Sequence, residues 1–85
     1  MSDTQNFRFR LAPIYLKEYF EANKHEPVTS NDLLNHLVDH DIFIERKALY
    51  NYIEALKLYG MDIRSVKGRY SAYFYQGMKE GEKYV

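Results

Sequence analysis

The chain has 85 residues and a mass of 10.2 kDa, room for one small domain and little more. Hydrophobic residues at 46% and charged residues at 28% describe a folded chain rather than a disordered tail, and the absence of cysteine excludes disulfides, thiolate zinc sites and cysteine nucleophiles. Twelve basic residues balance twelve acidic ones, which excludes a uniformly basic nucleic-acid binder but leaves room for a locally basic one.

Residues 1–6 are polar and lack the basic-then-apolar order of a signal peptide, so they read as a disordered lead-in. From Phe9 to Ala22 the pattern is helical, with Leu11, Tyr15 and Tyr19 on one arc, widened by Ala12, Leu16 and Phe20. Pro13 suits a first turn better than an interior, which places the start of the regular helix near it. Asn23 to Pro27 reads as a loop. Thr29-Ser30-Asn31-Asp32 then has the form of a helix start, with Thr29 accepting from the amide three residues on and Asp32 bonding back to the cap. Leu33, Leu34, Leu37 and Val38 form the apolar arc of that second helix, which ends at Asp39-His40-Asp41.

Ile42-Phe43-Ile44 is a short apolar connector, and Glu45 starts a third helix over Arg46–Tyr59, closed by Gly60. Leu49, Ile53 and Leu56 are its core stripe. After Gly60 the period changes from helix to strand. Met61–Val66 and Tyr70–Tyr75 read as two strands joined by the turn Lys67-Gly68-Arg69. Residues 77–85 read as a linker or tail. The expected fold class is therefore α+β: three helices and a two-stranded β-hairpin wing, the order of a winged helix-turn-helix, in one domain over residues 7–76.

Charge is unevenly spread along this order. Residues 18–45 hold seven acids and only Lys24, whereas residues 46–69 hold six basic groups against Glu54 and Asp62. The third helix turns Lys47, Tyr50, Asn51, Glu54 and Leu58 away from its core stripe, with Arg46 at the flank. Cations neutralise phosphates or bond guanine, and asparagine pairs bidentately with adenine, so this face has the chemistry of a base-reading helix. The alternative is an ordinary solvated face of two cations and two polar residues. On either reading Glu54 repels phosphate and pairs with Lys57 or caps the edge of the contact rather than reading cytosine. Lys67 and Arg69 flank Gly68 at the hairpin tip and Arg64 lies at its base, which suits a wing on a neighbouring groove or equally a charged turn that keeps an edge strand soluble. Helix face and wing tip together favour double-stranded DNA.

The run Glu45 to Gly60 resembles the recognition helix of the N-terminal winged helix-turn-helix of DeoR-like bacterial transcription regulators, especially those with a C-terminal WYL effector domain. Arg46, Tyr50, Ile53, Glu54, Ala55, Leu56 and Gly60 match that motif. Asp62-Ile63, Lys67-Gly68 and Tyr73-Phe74-Tyr75 resemble the family's wing, Leu11–Tyr19 its first helix, and Pro27-Val28-Thr29 the lead into its second. Ala48, Asn51 and Tyr52 depart from the threonine, arginine and aspartate usual there. The resemblance covers residues 8–76. It implies DNA-facing roles for Arg46, Lys47, Tyr50 and Asn51, phosphate contacts for Thr29 and Ser30, and wing contacts for Lys67 and Arg69. It places Tyr73 and Tyr75 on the packed face of the last strand. The chain stops about where the family's sensing part begins, which reads as an N-terminal fragment or a regulator consisting of the winged domain only.

His36 and His40 have the spacing of a two-histidine metal pair, but they read as ordinary surface histidines because no further ligand is predictable. No nucleophile, base and oxyanion donor come together and no glycine-rich phosphate loop is present, so the reading is a binding protein without cofactor or metal rather than an enzyme. The expected setting is the cytoplasm, with no membrane contact. The aromatic hairpin offers a surface for a homodimer or for an effector domain. The rival reading is a winged-helix protein–protein interaction module that does not bind DNA. Its support is the neutral net charge, the acidic stretch Glu18–Glu45, Leu58 and the aromatic hairpin. A third is a small phage or mobile-element regulator that occupies a host factor.

Overall fold

The computed structural model describes the backbone of residues 2–66 and 72–79, with side chains from Phe9 onward. Its elements are α1 (Ser2–Ala22), β1 (Pro27–Thr29), α2 (Ser30–Asp39), α3 (Arg46–Tyr59), β2 (Met61–Val66) and β3 (Ala72–Met78). The strands form one antiparallel sheet in the order β1-β3-β2. The architecture is thus α+β, three helices on a three-stranded sheet among the described residues.

The sheet corrects the expected two-stranded hairpin. Pro27, Val28 and Thr29 pair with Phe74, Tyr73 and Ala72, so β3 is the central strand. The segment has no alternation long enough to announce a strand; its pairing comes from the distant β3 and from burial of Val28 against the core. Pro27 is tolerated because it begins an edge strand, where its missing N–H costs no ladder bond. On the other side of β3, β2 pairs from Val66–Ala72 to Met61–Met78. Ile63 faces Tyr75 while Met61 faces Met78, so β3 carries one extra residue there. That bulge contains Gly77, at φ 101°, and lets the strand run two residues past the expected end of the domain.

The first helix also differs from expectation. Pro13 lies inside α1, which reaches back to Ser2, rather than near its start. Proline removes the hydrogen bond to the carbonyl four residues earlier. The helix nevertheless continues because Ala12 is fully buried and Leu11 packs against the core on the far side of that break. No proline or glycine interrupts residues 2–8, the stretch that includes the expected lead-in. The inward arc centres on Ala12, Leu16 and Phe20, all fully buried, with Leu11, Tyr15 and Tyr19 on its margin.

The helix ends follow local chemistry. Thr29 caps α2: its hydroxyl accepts from the Asp32 amide at 3.0 Å and its own amide donates to Asp32 Oδ2 at 3.1 Å. At the other end Asp41 takes a positive φ of 63°, the Ile42 amide donates to the Leu37 carbonyl, and the Asp41 amide donates to the Val38 carbonyl. This is a Schellman closure whose apolar contact is the buried Ile42. It fixes the turn between α2 and α3. Gly60, at φ 128°, ends α3 with its amide donating to the Leu56 and Lys57 carbonyls.

Leu33 and Leu37 from α2, Leu49, Ile53 and Leu56 from α3, and Val28, Met61, Ile63, Tyr73 and Tyr75 from the sheet complete the core. Tyr73 and Tyr75 point inward while Phe74 is half-buried between them. Tyr75 spans the layers, its hydroxyl donating to Glu21 of α1 at 2.8 Å. Burial first, then that bond and the charge of Glu21, push the Tyr75 phenol up to about 12.

Candidate nucleic-acid interface

The apolar stripe Leu49–Ile53–Leu56 fixes the rotation of α3, and so decides which residues face outward. Lys47, Tyr50 and Asn51 are exposed on its first two turns. None of the three side chains has a hydrogen bond or ion pair among the described residues. Glu54 and Leu58 continue this face, and Leu58 is 89% exposed. Glu54 is paired with Lys57 at 3.3 Å, as its spacing suggests, which leaves the second half of the helix close to neutral.

Arg46 opens the helix. Its guanidinium donates to Oδ1 of Asn31 in the first turn of α2, so the two helix starts are tied together. Asn31 is the partner that sequence reading missed: it lies 15 residues away, and no periodicity links the two. Glu45, the N-cap of α3, makes no side-chain cap bond, so its side chain does not satisfy the helix's first amides.

The other expected contacts divide sharply. Thr29 is half-buried with its hydroxyl committed to the cap. Ser30 is only 2% exposed, and its hydroxyl lies against the Tyr73 phenol without a hydrogen bond of standard geometry. It points into the core because residue 30 falls on the same side of α2 as Leu33 and Leu37. Burial raises the Tyr73 phenol; the Ser30 hydroxyl works against this, while Tyr50 and Glu54 add to it. Those last two side chains therefore sit near the sheet. Arg64 is exposed on β2, but its Nε donates to Asp62 at 3.2 Å, which offsets much of its charge. Lys67 and Arg69, with the expected turn around Gly68, lie outside the described residues.

A second surface lies between α1 and α3. Pro13, Ile14 and Lys17 face Ala55, Leu56 and Tyr59 across an apolar groove of about 350 Å³. Ile14 is half-exposed and Tyr59 largely so. One histidine also sits differently from expectation, whereas His40 is exposed as expected. His36 is not a free surface residue: it packs on Tyr19 at 4.8 Å, and His40 stacks on Tyr15 at 3.9 Å. On the wheel of α2 alone His36 lies at the edge of the apolar arc, and only the neighbouring α1 covers it. No group of three or more metal-ligating side chains occurs among the described residues. Nor, among them, is any helix long and apolar enough to cross a membrane.

No family model matches the chain, and neither does any curated protein or solved structure. The fold and the α3 surface thus define an α+β domain with one outward helix face rich in unpaired polar groups.

Proposed function

We propose that the chain is a winged helix-turn-helix domain that reads double-stranded DNA as the DNA-binding part of a bacterial, cytoplasmic transcription regulator of the DeoR-like, WYL-containing kind. The observation that carries this reading is the set Lys47, Tyr50 and Asn51, exposed and unpaired on the first two turns of α3 beside Arg46. Groups with hydrogen-bonding capacity and no internal partner are what base and phosphate recognition requires. The element order supports it: α2, a closed turn and α3 are followed directly by antiparallel strands, as in a winged helix-turn-helix. The kinship with DeoR-like regulators rests on the sequence resemblance over residues 8–76 alone.

In this reading α3 enters the major groove. Lys47, Tyr50 and Asn51 meet base edges and Arg46 meets phosphate from the position in which Asn31 holds it. Arg64, Lys67 and Arg69 would lie along the backbone or the neighbouring groove as a wing over 64–70. Ser30 has no role in it, because its hydroxyl is inside the core.

A selection of bound sequences from a random duplex pool supplies the test. Asn51→Ala should relax preference at one base pair, whereas Lys67→Ala should weaken all sequences alike. Equal losses on selected and random duplexes for both variants would refute this division of labour. The groove lined by Ile14 and Tyr59, with Leu58 nearby, favours a second reading, a protein-binding module. A complex with a protein that is insensitive to salt, together with no affinity for DNA, would support that reading instead.

A further inference from the structure

We propose that Tyr15, Tyr19, His36 and His40 form a proton-sensitive clasp between α1 and α2, closed while His36 is neutral and loosened when its ring is protonated. The four rings make a continuous cluster. His40 lies flat on Tyr15 at 3.9 Å with 13° between the planes. His36 meets Tyr19 at 4.8 Å, the edge of Tyr15 at 6.4 Å and the edge of His40 at 4.9 Å. The cluster therefore joins two turns of α1 to the last two turns of α2, outside the aliphatic core.

The Nε2 atom of His36 is buried and has no hydrogen-bond partner among the described residues. A neutral imidazole tolerates this, because one nitrogen is only an acceptor and the ring carries no charge. A protonated ring has a donor on both nitrogens and a full charge, so the same position leaves a charged donor without an acceptor.

The groups that face the ring come from both helices. Tyr15, Tyr19 and Glu18 lie on α1, and Asp39 and His40 on α2. Glu18 and Asp39 favour the charged ring, but both are exposed and screened by water. Burial and the neighbouring His40 work the other way and prevail, lowering the His36 affinity for protons below the ordinary 6.5. The sign follows. The unfolded chain binds this proton more readily than the folded one, so the stabilisation is complete above pH 6.5 and is lost as pH falls through the lower folded value. The inference is independent of what α3 binds, although α2 also carries the Asn31 that holds Arg46.

The test is a titration of the histidine ring protons of the whole chain by NMR, from about pH 8 to about pH 5, with thermal unfolding over the same range. The His36 signal should titrate with a midpoint below 6.5, and ring-to-ring contacts between Tyr15 and His40 should fade over the same interval. His36→Phe keeps an aromatic ring in the cluster without a titrating nitrogen, so its melting temperature should fall less on acidification than that of the wild type. A His36 midpoint at or above 6.5 would overturn the clasp, as would an identical pH slope in the phenylalanine variant. If that variant does not fold, the wild-type titration decides alone.

Discussion

Replacing Gly60 by alanine tests how α3 hands the chain to the sheet. Gly60 adopts φ 128°, a region that L-residues enter only at a cost of about 1–3 kcal/mol. An added Cβ would also meet Met78 Cε at 3.0 Å, closer than a comfortable contact. Gly77 provides the internal comparison. It too has a positive φ, 101°, but a Cβ there would find only Lys24 Cδ at 3.8 Å, an ordinary contact. Both alanine variants should therefore be destabilised by backbone strain, and Gly60→Ala slightly more so, because the methionine end has to move. In a domain of this size each 1 kcal/mol lowers the melting temperature by about 4–8 °C. Urea and thermal unfolding, followed by far-ultraviolet circular dichroism, read both effects. Met78→Ala added to Gly60→Ala should relieve only the steric part. A Gly60→Ala protein within about 0.5 kcal/mol of the wild type would refute the reasoning, since neither strain nor clash would then be present.

Thr29→Ala removes one half of the α2 capping box and should cost about 1 kcal/mol, read as a lower urea midpoint with an unchanged slope. The Tyr75 phenol, pushed up to about 12 in the folded protein, should resist ionisation until the chain unfolds. Its folded value exceeds the unfolded one of 10.0, so the stabilisation holds below pH 10 and is lost as pH rises toward 12. Burial also raises the Tyr19 and Tyr73 phenols, so an ultraviolet titration should show several late tyrosinate steps, of which Tyr75→Phe removes one. Glu54→Gln should change stability by less than about 1 kcal/mol, because the Lys57 pair is exposed. The same change should strengthen binding to random duplex and steepen its salt dependence, because it frees a lysine and removes an anion from the α3 face.

Local signals in the sequence were sufficient wherever the determining groups were neighbours in the chain. The Thr29–Asp32 box, the Gly60 closure, the Glu54–Lys57 pair and the Leu49–Ile53–Leu56 stripe all lie within one or two turns, and each is found in the structure. The inward tyrosines of β3 followed from the family resemblance and are also found. Distant partners decide what was missed. β1 exists because β3 offers it a ladder, and three residues carry no period of their own. α1 crosses Pro13 because Leu11 and Ala12 are needed in the core. His36 is half-buried because α1 supplies two tyrosines to pack on it. Asn31 becomes the partner of Arg46 only once the α2–α3 turn is closed by Asp41 and Ile42. On α3 the outward face was legible in full, whereas the inward turn of Ser30 was not, because the phosphate contact expected there came from the family resemblance and not from the side of α2 that residue 30 occupies.

Titration of the chain into labelled random duplex DNA at low salt, repeated as salt rises, tests the DNA reading most directly. A winged reader with Arg46, Lys47 and a basic wing should bind and then weaken with a log–log slope of about −3 to −6, roughly one unit for each phosphate that the protein neutralises. Lys47→Ala should reduce that slope by about 1. No binding at low salt would contradict the account, leaving the exposed, unpaired face of α3 to a protein partner.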